Sequence, residues 1–341
     1  MSGGWQSSLL KDLMAGRHLT VGQAHSLFNQ IMDGELTESQ IAAVLVALAA
    51  KGETVEEITG AALAMRDHAR KIDPGDRAVI DTCGTGGTGL STFNISTTAA
   101  LVAAGAGACV AKHGNRTSTR ASGSADVLAE LGVNIEADEA CLVRCLRQAN
   151  VCFCFAVRHH PAMRFAAPVR KALAVRTIFN LLGPLTNPAG ASRQLMGVFD
   201  RALVDTVAAV LVNLGSRRFM VVHAESGLDE ISTLGKTFIA QLGPNGLSRL
   251  ELQPEDLGLK RARLEDLGIK TVAQSARAVR DVLGGKNGPH RDIVLLNAAA
   301  ALVVAEKAGD LPAGLELART AIDSGAAAAT LEKLIAASHG R

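Results

Sequence analysis

Apolar residues change their spacing once along this chain of 341 residues. Over residues 6–72 they recur at helical intervals and no strand-like alternation interrupts them, which predicts helices over 7–15, 20–32, 37–51 and 54–71. Thr37-Glu38-Ser39-Gln40 and Thr54-Val55-Glu56-Glu57 fit capping boxes, in which threonine and a Gln or Glu three residues on satisfy each other's backbone N–H groups. Asp73-Pro74-Gly75-Asp76 then punctuates the chain. From Ala78 onward short apolar runs alternate with helical ones. Strands are predicted at 78–80, 109–111, 151–156, 195–199 and 218–223, and helices at 97–104, 124–132, 138–148 and 201–215. Such alternation implies an α/β fold with a mostly parallel sheet covered on both faces. Residues 168–188, bounded by prolines, read as helical and without a strand. Residues 241–290 are mixed and turn-rich, with Pro254-Glu255-Asp256 and a loop over 284–290, and helices resume at 297–306 and 315–322.

Residues 78–126 hold the densest candidate chemistry. A buried-looking strand delivers the glycine loop Gly84-Thr85-Gly86-Gly87-Thr88-Gly89, then the polar turn Asn94-Ile95-Ser96-Thr97. After a helix, a second strand delivers Lys112-His113-Gly114-Asn115-Arg116. In a parallel sheet both loops would line one crevice at the carboxyl ends of the strands. Between Asp81 and Asp126 there is no carboxylate, whereas Lys112, His113, Arg116 and Arg120 all fall there. Glycine N–H groups, a helix start and these cations suit phosphate or pyrophosphate. Gly84-x-Gly86-x-x-Gly89 matches the dinucleotide fingerprint in spacing, but the acidic residue expected ~20 positions on is missing. No NTPase P-loop pattern is present either.

Composition narrows the classes. The net charge of +2 gives no global field for nucleic acid or membrane, and 3% aromatics with no tyrosine favours helices packed on a sheet. The N-terminal segment lacks a signal-peptide pattern, and apolar runs such as 41–50 are too short to span a bilayer, so a soluble cytoplasmic protein is expected. Cysteines 83, 109, 141, 145, 152 and 154 show no metal or redox spacing and are expected as buried free thiols, with Cys152 and Cys154 on one strand face.

GTGG, NIST, KHGNR and GSAD, followed by HHPAMR at 159–164, PVR at 168–170, RTIFNLLGPLTNP at 176–188 and GLDE at 227–230, resemble the anthranilate phosphoribosyltransferases of tryptophan biosynthesis. The resemblance runs from about residue 8 to residue 335. It implies a nucleoside phosphorylase/phosphoribosyltransferase-like fold. A helical domain would comprise 1–74 plus about 168–188, and an α/β domain 75–167 and 189–341. It implies transfer of phosphoribosyl from 5-phosphoribosyl 1-pyrophosphate to the amine of anthranilate, with Mg²⁺, in a homodimer formed through the helical domain.

The same resemblance assigns residues. Phosphoribosyl pyrophosphate would be held by Gly84, Gly87, Thr88, Thr92, Asn94, Ile95, Ser96 and Thr97. Lys112, His113, Gly114, Asn115, Arg116, Thr119, Arg120 and Ser124 would complete that set. Anthranilate would meet Gly84, His113, Asn115, His160 and Arg170, whose guanidinium suits a carboxylate. Metal would be held by Ser96, Asp229 and Glu230. No residue is assigned as general base, since the acceptor's own carboxylate could assist proton loss, and His159 is left structural. The chain departs from the family pattern at Thr88 (usually Asp), Thr119-Arg120 (usually two serines), Val157 (usually Pro) and Ala174 (usually Gly). These departures leave open a paralogue with another aromatic acceptor. A nucleoside phosphorylase would have no use for Arg170, KHGNR and the tandem acid. A nucleic-acid-binding paralogue would show an extended basic face.

Overall fold

The computed structural model describes residues 4–117 and 121–340. The chain opens with four helices, α1 (Gly4–Met14), α2 (Val21–Asp33), α3 (Glu38–Lys51) and α4 (Val55–Asp67). Both predicted capping boxes form, and a third pairs Thr20 with Gln23. Glu57 serves a second purpose besides its box. Its fully buried carboxylate accepts the Leu19 N–H at 2.9 Å and the Lys51 ammonium at 2.6 Å, tying three helix ends together. α4 stops before the predicted residue 71 because His68 caps it and Arg70 instead donates its N–H to His159 O at 2.8 Å.

Seven strands form one sheet in the order β3-β2-β1-β4-β5-β6-β7. Their ranges are β1 Val79–Asp81, β2 Cys109–Gly114, β3 Val151–Phe155, β4 Arg193–Gly197, β5 Arg218–Ala224, β6 Thr237–Gly243 and β7 Gly246–Leu252. β1 to β5 pair in parallel; β6 and β7 add antiparallel. The chain winds from β1 out to β3, then returns to the other side of β1 as β4. This reversal opens a crevice at the carboxyl ends of β1 and β4.

Alternation along the strands divides the interior in two. Leu195, Met220, Val222 and Ile239 face one core with α5 (Ile95–Gly105) and the C-terminal helices. Met196, Phe219, Val221 and Ala240 face the other, which includes α2–α4 and Ala166, Val169, Ile178 and Phe179. The stretch after β3 is therefore packed against the N-terminal helices.

Three segments differ from expectation. The turn-rich region includes the end of the β6–β7 hairpin and a helix, Val272–Leu283. β7 is exposed at five of its seven positions, so no buried face imposed apolar alternation on it. The helix expected at 297 begins at Pro289, a residue suited to the first helical position, and a further helix spans Ala326–Ser338. All six cysteines are free, but only Cys145, Cys152 and Cys154 are buried; Cys83, Cys109 and Cys141 are half-buried. Cys152 and Cys154 do share a face, with sulfurs 3.8 Å apart. No helix among the described residues is long and apolar enough to cross a membrane.

Candidate active site

β1 ends on Asp81, a fully buried carboxylate at the centre of the sheet. Its Oδ1 accepts the N–H groups of Thr82 at 2.7 Å and His113 at 3.1 Å, and its Oδ2 accepts Asn187 Nδ2 at 2.7 Å. Asn187 Nδ2 also donates to Ala111 O at 2.7 Å. Burial pushes the Asp81 carboxyl up to about 6, against the pull of Lys112 and these donors. Lys112, itself buried, donates to Thr82 O at 2.9 Å and lies 3.4 Å from Ser96 Oγ. The node fixes the ends of β1 and β2 and the start of the loops that leave them.

Asp229 enters the crevice between β1 and β4 through gaps that only glycine leaves. A Cβ on Gly197 would stand 1.7 Å from the Asp229 carbonyl oxygen, and one on Gly84 2.7 Å from its Oδ2. The same carboxylate accepts the Gly86 N–H at 2.8 Å, while Thr85 N donates to Gly197 O at 2.9 Å. Downstream, Asn94 does not cap α5 with its side chain. Its Oδ1 instead accepts hydroxyls from Ser122 and Ser275, each at 2.7 Å, joining three segments.

These elements enclose a cleft of about 430 Å³. Gly84, Gly87, Asn94, Ser96 and Thr97 form one wall, and Lys112, His113, Gly114, Asn115, Arg116 and Ser124 a second. Arg170, Asp229 and Glu230 complete it. Thr88, Thr92, Ile95 and His160 stand outside the wall. Thr88 Oγ1 accepts the Leu90 N–H at 3.3 Å, Thr92 bridges to Gly268, and the Ile95 side chain is in the core. Arg116 lies at the rim, ion-paired with Asp126 at 2.8 Å. Thr119 and Arg120 lie outside the described residues.

The histidines form a neutral pair. His113 Nδ1 is 3.0 Å from Gly183 O and so carries the hydrogen, since a carbonyl only accepts. Burial, then the neighbouring His160 ring at 5.1 Å, hold the His113 pKa well below the usual value. Burial also lowers His160, to about 4. The Nε2 atoms of both rings are buried and find no hydrogen-bond partner among the described residues. Arg170, on the helix Ala167–Leu173, has its guanidinium 5.3 Å from the Phe179 ring centroid and forms no ion pair among the described residues. Burial lowers its pKa.

Asp229 and Glu230 offer oxygen only, as does Ser96 across the cleft, a donor set that fits a hard cation such as Mg²⁺. Ligand atoms of Asp81, Cys83 and His113 also approach within 4.8 Å of one another. That cluster is a poor metal site: three N–H groups already fill the carboxylate, and burial pushes the Cys83 thiol up, keeping it protonated. Sequence reading missed Asp81 and Asn187 as supports, and Phe179 and Asn180 as cleft wall. Asp81 carried a signal, as the last acid before the carboxylate-free stretch and the final residue of a central strand.

A mostly parallel sheet with a switch-point cleft, preceded by a helical bundle, is the architecture of the glycosyl transferase family, whose models match this chain. The helical bundle domain model of that family matches residues 7–69 and its a/b domain model matches residues 76–328. The anthranilate phosphoribosyltransferase of Moorella thermoacetica is 50% identical over 327 residues, covering 96% of each chain. The crystal structure of the Thermus thermophilus enzyme superposes with a TM-score of 0.92 at 42% identity, over 97% of this chain and 99% of that one. The Saccharomyces cerevisiae enzyme in complex with phosphoribosyl pyrophosphate and Mg superposes with a TM-score of 0.91 at 28% identity, over 100% and 99%. The chain belongs to the anthranilate phosphoribosyltransferase family.

Proposed function

We propose that the protein transfers the phosphoribosyl group of 5-phosphoribosyl 1-pyrophosphate to the amine of anthranilate, releasing pyrophosphate, as a cytoplasmic step of tryptophan biosynthesis. The observation that carries this reading is the meeting of four groups in one cleft: the glycine loop, buried Lys112, the Asp229-Glu230 pair and Arg170. On the donor side, loop N–H groups, Lys112 and the Ser96–Thr97 helix start hold the phosphates. Negative charge grows on the leaving pyrophosphate as C1 gains oxocarbenium character, and fixed donors stabilise that change without reorganising. Asp229, Glu230 and Ser96 would hold Mg²⁺, and a cation there would neutralise part of the same charge. On the acceptor side, Arg170 holds the carboxylate of anthranilate. His113, neutral and with its Nε2 lone pair available, accepts a hydrogen bond from the amine and so orients its attack.

The helical domain of this reading comprises 1–74 with about 168–188, consistent with their shared core. A second copy of the chain would cover the apolar groove on α1 and α3, where Met14 is 75% and Val46 44% exposed, giving a homodimer. Anthranilate fluorescence tests the function directly. Its loss should require protein, phosphoribosyl pyrophosphate and Mg²⁺ together. No loss, with phosphoribosyl pyrophosphate still bound, would show that the acceptor is a different amine.

A further inference from the structure

The glycine loop has few side chains with which to hold itself. Gly86, Gly87 and Gly89 have φ of +66°, +73° and +73°, left-handed conformations whose order costs more backbone entropy than any other residue's. Three anchors from outside fix the loop's first turns. Gly197 O takes the Thr85 N–H and Asp229 takes the Gly86 N–H. The third comes from Arg176, whose Nη2 donates to Gly87 O at 2.8 Å. Its guanidinium carbon lies 4.2 Å from the centroid of Phe199, two residues beyond β4. A planar guanidinium laid on a ring has its fork direction set, so the bond to Gly87 is aimed rather than incidental.

Arg176 also stands on the chain segment that carries Arg170. The helix Ala167–Leu173 closes at Ala174, whose N–H returns to Arg170 O at 3.2 Å, and only Val175 separates that cap from Arg176. Just beyond, the Thr177 N–H is held by Asn180 Oδ1 at 3.0 Å. One short, pinned turn therefore touches the acceptor pocket through Arg170 and the pyrophosphate loop through Arg176.

We propose that Arg176 is a positioning residue that latches the glycine loop to the acceptor-binding turn, so that order in either site favours order in the other. Reciprocity follows from linkage: if a bound acceptor steadies the turn and thereby the loop, a bound donor steadies the acceptor site by the same factor. The ligand names rest on the proposed function; the latch does not.

The test pairs hydrogen exchange in the unliganded protein with steady-state kinetics, for Arg176→Ala and Arg176→Lys. Losing one charge-assisted bond should speed exchange of the 84–90 amides about tenfold in Arg176→Ala and raise the KM for phosphoribosyl pyrophosphate about tenfold. The melting temperature should hold, and kcat should change less than KM. Lysine reaches the carbonyl but cannot stack as a plane, so it should recover part of the KM effect. A folded Arg176→Ala protein with unchanged loop exchange and unchanged KM overturns the proposal. Faster loop exchange in a protein that binds no phosphoribosyl pyrophosphate, wild type included, supports the latch and rejects the assigned substrate.

Discussion

Beside the glycine loop the buried Asp81 carboxylate meets three N–H groups, whereas the Nε2 atoms of His113, in the cleft wall, and of His160, behind it, meet no donor or acceptor among the described residues. Arg170, in the same cleft, forms no ion pair among the described residues. Unpartnered buried polar groups are costly, and proteins keep few of them. On the proposed function the acceptor supplies the partner missing at His113, which lines the cleft. On that reading the donor side is a largely satisfied scaffold, and the acceptor side is completed by a carboxylate at Arg170 and an N–H donor at His113. Thr97 Oγ1, buried and unpaired at the start of α5, is the donor side's own exception and lies on the cleft wall.

The comparison breaks most visibly in kinetics. If Asp229 holds Mg²⁺ at the leaving group as proposed, Asp229→Ala removes stabilisation of the developing charge, and kcat should fall by about 100- to 1,000-fold. Arg170→Ala instead removes the proposed ground-state partner of the acceptor's carboxylate. It should raise the KM for anthranilate by about 10- to 100-fold with a smaller loss in kcat. Steady-state constants for both variants against both substrates separate the two patterns. Equal effects on kcat and KM in both would erase the distinction between the sides.

Asp81 is raised from 3.8 to about 6 in the folded protein, mainly by burial. The native state thus holds this proton more tightly than the unfolded chain does. Its contribution to stability is greatest below about pH 4 and declines as pH rises to about 6, by about 3 kcal/mol at 1.36 kcal/mol per unit. Denaturant midpoints of wild type and Asp81→Asn across that window should diverge in slope; parallel curves would remove Asp81 from the titration. The acceptor-side histidines should behave oppositely. Being lowered by burial, His113 and His160 stay neutral, and their ring resonances should not shift between pH 8 and pH 5.5 in an NMR titration, the His160 value being about 4.

Legibility in the sequence followed the same division. The glycine loop, KHGNR and GLDE were readable because their chemistry is local: small residues, cations and paired acids stand next to one another in the chain. Fourteen of the assigned residues, from Gly84 to Glu230, do line one cleft. The supports were not readable, because each joins distant segments. Asn187 reaches Asp81 and Ala111, and Asn94 gathers Ser122 and Ser275, contacts that no short-range spacing encodes. In the fold, strands buried on both faces announced themselves as apolar runs. β7 did not, because an exposed edge strand needs no apolar face. The packing of 168–188 onto the N-terminal helices came from the family resemblance and not from periodicity.

The smallest expected effect lies at Ala174, where the family pattern usually has glycine. The helix carrying Arg170 ends there with φ of +52°, a left-handed cap in which a Cβ is strained and glycine is not. Ala174 is exposed, so replacing its methyl group loses little packing. Relief of strain and the greater unfolded-state freedom of glycine oppose each other, and at left-handed positions the first prevails. Ala174→Gly should therefore raise stability by about 0.5–1 kcal/mol, read as a small upward shift of the denaturant midpoint with unchanged slope. The two sides of the cleft predict what accompanies it. If the cap only terminates a helix, the KM for each substrate stays constant. If the strained turn presents Arg170, the KM for anthranilate moves while that for phosphoribosyl pyrophosphate moves only as far as Arg176 transmits the change.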